Sequence, residues 1–164
     1  LALSCNLTHT PKYLLLDEPT IGVDPVARRE FWKILFELKD TGTTIFVSTP
    51  YMDEAERCDE VGLMSNGRII KTDTPANIMN SSKPIISVFS ENNHFAREVS
   101  QKEEYVLDSY LFGEELHIVA DDNESAIKKL LKKFEVNNLK ASIKEISPSL
   151  EDVFVNIIKS EKGR

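Results

Sequence analysis

Apolar residues follow two different spacings in the first third of the chain. A short apolar run over residues 13–17 is bounded by turn residues, which predicts a β-strand buried on both faces. Residues 25–39 carry apolar side chains at the spacing of an amphipathic helix, and residues 43–48 are a second β-rich run. A strand, a helix and a strand in this order predict a parallel α/β arrangement. The helical stripe consists of Phe31, Ile34, Leu35 and Leu38.

The rest of the chain alternates shorter strands and helices. Asn66-Gly67 between two apolar runs predicts a β-hairpin, and residues 72–84 predict a short helix and then a linker. The following order βαββαβ is that of a small α+β, ferredoxin-like module. A last helix is expected to take Ser147 as its cap and Pro148 as its first residue. The module's elements are predicted at 85–89, 95–100, 105–111, 115–120, 123–134 and 139–146, and further helices at 1–9 and 51–58.

Composition narrows the classes of function. The chain has 164 residues, of which 41% are hydrophobic and 29% charged, as in ordinary globular proteins. Its net charge of −7 argues against a nucleic-acid partner, which would require a basic face. No apolar run approaches the eighteen residues of a membrane span. Cys5 and Cys58 have no metal-ligand spacing and are interpreted as small hydrophobes.

Two adjacent carboxylates, Asp17 and Glu18, stand at the end of the first predicted strand. Open α/β sheets bind their ligands at the carboxyl ends of their strands. Two acids at this edge suit a magnesium ion and an activated water. The alternative is a plain strand followed by a solvated turn, and the two residues alone leave it open.

Four motifs together resemble one family. Residues 14–19 (LLLDEP) with Gly22-Val23-Asp24 are similar to the Walker B and D-loop segment of ABC-type ATPases. Residues 48–59 resemble the switch region of that family, and Asn66 to Ile70 resemble the strands that close its nucleotide-binding domain. Residues 147–154 (SPSLEDVF) resemble the carboxyl-terminal end of its drug, polysaccharide and antibiotic exporter branch. The resemblance implies an α/β fold with a partial P-loop NTPase (RecA-like) parallel sheet.

The same resemblance implies domain boundaries. Residues 1–79 would be the C-terminal part of the nucleotide-binding domain, 80–84 a linker, and 85–164 a ferredoxin-like accessory domain. The phosphate-binding loop, the Q-loop and the signature segment do not occur in this sequence. In the family, these three segments lie N-terminal to the part that corresponds to Leu1 and the residues after it. The expectation is therefore a fragment that is inactive by itself and has no measurable affinity for ATP.

Roles for individual residues also follow from the resemblance. Asp17 would hold Mg²⁺ through a water ligand, and Glu18 would be the catalytic residue that orients the attacking water. Asp24 would communicate across a dimer that encloses ATP. Pro50 stands where the family has a histidine that contacts the γ-phosphate, and proline supplies neither a ring nitrogen nor a backbone N–H. Pro50 therefore predicts a degenerate or slow site.

The resemblance further implies partners and a location. The whole protein would use ATP and Mg²⁺, power the membrane permease of an ABC exporter, and pair with a second ATPase domain as a homodimer or in a tandem polypeptide. It would lie in the cytoplasm, peripheral on the inner face of the cell membrane. Two alternatives stay open: a non-transport ABC ATPase acting on ribosomes or DNA, and a regulatory or dimerisation module with a degenerate ATP site.

Overall fold

A computed structural model describes residues 11–162 of the chain. The helix predicted over 1–9 lies outside this range. The chain divides into two compact units, one up to Arg57 and one from Cys58 onward. Both units mix helices with sheets, which confirms the α/β class. The predicted domain boundaries at 79 and 85 stay a prediction.

The first unit contains the predicted strand–helix–strand. Strand β1 (Tyr13–Asp17) is followed by helix α1 (Pro25–Asp40), strand β2 (Thr44–Ser48) and the short helix α2 (Met52–Ala55). The two strands pair in parallel, as their helical crossover predicted, with Asp17 opposite Ser48. The acidic helix predicted over 51–58 is confirmed but is only four residues long.

Strand β1 is not buried on both faces, so that expectation was wrong. Leu14 is buried, whereas Tyr13 and Leu15 are exposed. A strand is covered on both faces only where other elements pack against each of them. Within residues 11–57, β1 pairs with β2 alone, and the face that carries Tyr13 and Leu15 stays open.

Helix α1 begins at the predicted residue and ends one residue later than predicted. The Asp24 side chain caps it and Pro25 occupies the first helical turn. Its inner face differs from the predicted stripe, because Trp32 and Leu35 are the buried residues and Ile34 is exposed. The large indole of Trp32 buries more apolar surface than Ile34 would, and this turns the helix toward Trp32.

The second unit starts with a hairpin. Strands β3 (Val61–Ser65) and β4 (Arg68–Asp73) are antiparallel, and Asn66 and Gly67 between them have φ angles of 48° and 74°. Positive φ at both positions is the geometry for which Asn-Gly is favoured, so the predicted turn is confirmed. Helix α3 (Pro75–Asn80) follows, and the Thr74 hydroxyl accepts a hydrogen bond at its N-terminus.

A four-stranded antiparallel sheet forms the body of the second unit. Its strand order is β6-β7-β5-β8. Ten buried residues, among them Ile86, Leu116 and Phe134, form the core between the sheet and its two helices. The elements are β5 (Ile85–Ser90), α4 (Asn93–Ser100), β6 (Val106–Phe112), β7 (Glu115–Ala120), α5 (Asn123–Val136) and β8 (Ala141–Ile146).

Helix α6 (Leu150–Lys162) closes the chain, and its start differs from the prediction. The cap is Ser149 and not Ser147. The Ser149 hydroxyl accepts a hydrogen bond from the Asp152 N–H at 3.2 Å, and the Asp152 carboxylate accepts one from the Ser149 N–H at 2.8 Å. This reciprocal pair satisfies two backbone donors at once, which a cap at Ser147 followed by Pro148 would not do.

Candidate functional site

The carboxyl ends of β1 and β2 bring Asp17 next to Ser48. These two residues are opposite each other in the parallel register, and the Ser48 hydroxyl donates a hydrogen bond to Oδ1 of Asp17. Asp17 is exposed and Ser48 is half-buried. The predicted site residue therefore stands at the edge of the sheet, with one carboxylate oxygen oriented by the neighbouring strand.

Glu18 has an unusual backbone conformation. Its φ angle is 45°, in the left-handed region that costs a non-glycine residue about 1–2 kcal/mol. Two hydrogen bonds hold it there, because the Glu18 N–H donates to the carbonyl oxygen of Ser48 at 3.0 Å and to its hydroxyl at 3.1 Å. Such a conformation persists where the surroundings over-determine it. The two hydrogen bonds to Ser48 in β2 therefore fix the backbone from which the exposed Glu18 side chain projects.

Asp24 is a helix cap in this structure. Its Oδ1 accepts hydrogen bonds from the N–H groups of Val26 and Ala27, both at 3.0 Å. Between residues 11 and 162, no hydrogen bond joins Asp24 to Asp17 or Glu18. The role across a dimer that the resemblance implied for Asp24 stays a prediction, and capping is compatible with it.

Pro50 lies between β2 and α2, two residues beyond Ser48, and its side chain is exposed. It can donate no hydrogen bond from its backbone. The neighbouring Thr49 is held instead, since its hydroxyl donates to Glu54 at 2.8 Å and accepts from the Tyr51 N–H at 3.1 Å. The segment that carries position 50 is thus anchored on both sides of the proline.

The structure adds a buried charged cluster that the sequence reasoning missed. Glu54 in α2 is fully buried, and its Oε2 accepts hydrogen bonds from the hydroxyls of Thr20 and Thr49. Arg28 places its Nε 2.9 Å from Oε1 of Glu54 and its Nη2 2.7 Å from Asp53. The sequence offered one signal for Arg28, because it lies three residues before the half-buried Phe31 and four before the buried Trp32, on the same side of α1. Helix α2 is too short to show any periodicity.

The described residues at this edge of the sheet offer a metal ion oxygen ligands. Asp17 and Ser48 offer a carboxylate and a hydroxyl, the hard donors that Mg²⁺ prefers. Among residues 11–162, no three His, Cys, Asp or Glu side chains are grouped so that they could hold a metal ion. A magnesium ion here would need most of its ligands from water and from phosphate oxygens, which is how Mg²⁺ is commonly bound.

The second unit contains a buried polar cluster around Asp152. Oδ1 of Asp152 lies 2.7 Å from Nδ1 of His117 and accepts a hydrogen bond from the Tyr110 hydroxyl at 2.9 Å. Oδ2 accepts from the N–H and the hydroxyl of Ser149. Burial tends to raise the pKa of Asp152, but the hydrogen bonds from His117, Ser149 and Tyr110 outweigh it and hold the pKa at about 2.

Two neighbours complete this cluster. The ring of Phe112 stacks on that of His117 with the centroids 4.6 Å apart, and Lys159 lies over the Tyr110 ring. Burial, followed by the charge of Asp152, raises the pKa of Tyr110 above its ordinary value. Asp152 belongs to α6, and Tyr110 and His117 belong to the sheet. The cluster therefore attaches the last helix to the sheet.

No helix among the described residues is both long enough and apolar enough to cross a membrane.

No protein-family model matches the chain. Individual proteins do match it. The chain is 52% identical over 75 residues to the probable multidrug ABC transporter ATP-binding protein YbhF of Escherichia coli K12, a match that covers 46% of this chain and 13% of that protein.

Two further relatives extend the match. The Nod factor export ATP-binding protein I of Sinorhizobium fredii is 32% identical over 164 residues, which covers 98% of this chain and 46% of that protein. The daunorubicin/doxorubicin resistance ATP-binding protein DrrA of Streptomyces peucetius is 38% identical over 82 residues, or 49% of this chain and 25% of that protein. The chain thus spans less than half the length of each of these three relatives.

Proposed function

Since the homologues of this chain are ATP-binding proteins of ABC transporters, we propose that it is the C-terminal part of the ATP-binding subunit of an ABC exporter. The match to the Nod factor export protein runs over nearly the whole chain, which supports a common architecture for both units. The names of this relative and of the two others refer to export, multidrug transport and drug resistance. These names favour the exporter proposal over an ATPase that acts on ribosomes or DNA.

The observation that carries the proposal is the pairing of Asp17 with Ser48. It brings the two carboxylates at the end of β1, Asp17 and Glu18, to the same edge as the segment 48–50. Phosphoryl transfer to water requires positioned groups and charge neutralisation more than covalent chemistry. Asp17 would hold Mg²⁺, chiefly through water, and Glu18 would orient or deprotonate the attacking water. The Ser48 bonds to both residues support a fixed geometry for these roles.

In this proposal, the proline at position 50 limits the rate of ATP hydrolysis. Pro50 is exposed at the end of β2 and offers no donor to a phosphate oxygen. The site would accordingly be slow or degenerate, and a second ATPase domain, in a homodimer or a tandem polypeptide, would complete it. Asp24 at the start of α1 would reach that second domain.

The two predicted domain folds are part of the proposal. The parallel pairing of β1 with β2 around α1 supports a partial RecA-like P-loop sheet. The sheet order β6-β7-β5-β8 within a βαββαβ sequence supports a ferredoxin-like accessory module. We propose residues 1–79 and 85–164 as the two domains. The subunit would work in the cytoplasm, against a membrane permease on the inner face of the cell membrane.

The experiment is steady-state ATP hydrolysis by the protein that the complete reading frame encodes, reconstituted with its permease. Glu18→Gln is expected to lower kcat at least about a hundredfold while ATP still binds, because the base that orients water is lost. Glu37→Gln, an exposed residue on α1, is the matched control and should change nothing. Unaltered turnover in Glu18→Gln would refute the proposal.

Two further measurements bear on the same proposal. Pro50→His should raise kcat, since an imidazole nitrogen then faces the phosphate, and an unchanged kcat would mean that the proline is not the limiting defect. The 164-residue chain by itself should bind no ATP in a calorimetric titration. Micromolar binding would contradict the proposal that its phosphate cradle lies elsewhere in the protein.

A further inference from the structure

The buried Glu54 carboxylate connects two segments that are far apart in sequence. Thr20 lies two residues after Glu18, and Thr49 lies directly before Pro50. Both hydroxyls donate to the same oxygen, Oε2 of Glu54, at 3.0 Å and 2.8 Å. Thr20 and Glu54 are fully buried, so water does not compete for these bonds. One carboxylate therefore sets the distance between the turn after β1 and the segment after β2.

Arg28 completes this attachment from helix α1. Its Nε lies 2.9 Å from the second Glu54 oxygen, its Nη2 lies 2.7 Å from Asp53, and its guanidinium carbon lies 4.6 Å from the centre of the Tyr51 ring. The hydrogen bond to Asp53, the ion pair with Glu54 and the contact with the Tyr51 ring together restrict the orientation of the guanidinium. The Arg28 side chain is one-quarter exposed, whereas that of Glu54 is not exposed at all. The Glu54 end of the cluster is thus shielded from water, whereas its Asp53 end is exposed.

A buried ion pair contributes little net stability, because the desolvation of both charges offsets their attraction. An apolar pair of similar volume would pack the same space at equal or lower cost. What the charged cluster supplies is direction, since each threonine hydroxyl is held at one angle and one distance. Such a fixed geometry suits a site in which the segment after β1 and the segment after β2 must face the same phosphate.

We propose that Glu54 and Arg28 are positioning residues for ATP hydrolysis, holding Glu18 and position 50 in one geometry through Thr20 and Thr49. This inference rests on the function proposed above. Neither Glu54 nor Arg28 would touch nucleotide, since they act through the threonine hydroxyls. Displacing a catalytic group by about 1 Å is enough to lower a rate about a hundredfold. The loss should appear in kcat, because the groups that bind ATP are not moved.

The test compares isosteric and conservative variants of the two threonines in the complete protein carrying Pro50→His. Thr20→Val and Thr49→Val retain the shape but lose the hydroxyl, and each should lower kcat at least about tenfold with KM for ATP within about twofold. Thr20→Ser and Thr49→Ser retain the hydroxyl and should restore most of the rate. A merely structural role would not separate serine from valine in kcat at unchanged KM.

Variants of the carboxylate test the same inference from its centre. Glu54→Gln retains one acceptor oxygen but loses the charge that orients Arg28, and it should lower kcat like the valine variants. Glu37→Gln again serves as the control. If Glu54→Gln does not fold, the Thr→Val and Thr→Ser pairs decide alone.

The outcomes separate the two proposals. If Glu18→Gln abolishes turnover but the valine variants keep full kcat, the positioning inference is wrong and the proposed function stands. If Glu18→Gln keeps full turnover, or the protein hydrolyses no ATP with either residue at position 50, the proposed function fails and this inference fails with it. Valine variants that raise KM at unchanged kcat would also overturn the inference.

Discussion

Replacing Asp152 by asparagine should remove a pH-dependent part of the stability of the second unit. The folded-state pKa of Asp152 is about 2 against an ordinary value of 3.8. At about 1.4 kcal/mol per pKa unit, ionisation of this carboxylate contributes about 2 kcal/mol to the free energy of unfolding. A lowered pKa means that this contribution is complete well above pH 3.8, about half lost near pH 3, and gone below about pH 2.

The neutral amide also leaves donors without a charged acceptor. Tyr110, His117 and Ser149 all direct hydrogen-bonding groups at Asp152, which is fully buried. We expect Asp152→Asn to cost about 3 kcal/mol near neutral pH and only about 1 kcal/mol near pH 2, where about half of the wild-type carboxylate is protonated and its ionisation contributes little. The perturbation should be confined to this cluster, because the change in size is small.

The assay is urea unfolding followed by circular dichroism between about pH 7 and pH 2. Amide exchange of β7 and α6 identifies the unit that has been destabilised. Asp121→Asn is the matched control, because Asp121 pairs with Lys83 while both side chains are mostly exposed, so little should change. A stability difference between wild type and Asp152→Asn that is the same at both ends of the pH range would refute this reasoning.

Two further substitutions test the packing and the capping. Phe134→Ala removes a fully buried ring from the core of the second unit and should lower the free energy of unfolding by about 3–5 kcal/mol, whereas Phe89→Ala at an exposed position should cost well under 1 kcal/mol; equal losses in urea unfolding would contradict the core assignment. Asp24→Ala removes the cap of α1 and should lower the free energy of unfolding by about 1 kcal/mol. The loss should appear as a lower midpoint of urea unfolding followed by Trp32 fluorescence. Asp40→Ala, at the opposite end of the same helix, should be neutral or slightly stabilising.

Local features of the fold were predictable from the sequence. The helical character of α1, its Asp24 cap and the Asn66-Gly67 turn all depend on hydrogen bonds and spacing within a few residues, whereas the face that α1 buries was predicted only in part. The parallel pairing of β1 and β2 also followed, because a helical crossover between strands requires it. The acids after β1 could be located at a sheet edge for the same reason.

Features that join distant residues were decided only by the tertiary structure. The Ser149 cap of α6 is itself a local pair with Asp152, three residues apart, but the reach of the same carboxylate to His117 in the sheet spans thirty-five residues and depends on how α6 packs. The open face of β1 depends on which elements cover the strand, and residue spacing within the strand cannot report that.

The candidate site divides in the same way. Asp17 and Glu18 were identified from their position after an apolar run, since strand ends are encoded locally. The hydrogen bonds between Ser48 and these two residues depend on how β1 and β2 align. Asp17 and Ser48 are thirty-one residues apart in sequence, so no local pattern reports that alignment. The burial of Glu54 could not be predicted from the sequence pattern, because a buried glutamate and a solvated one look the same in a sequence. Only its partners in space, Arg28 and the two threonines, distinguish them.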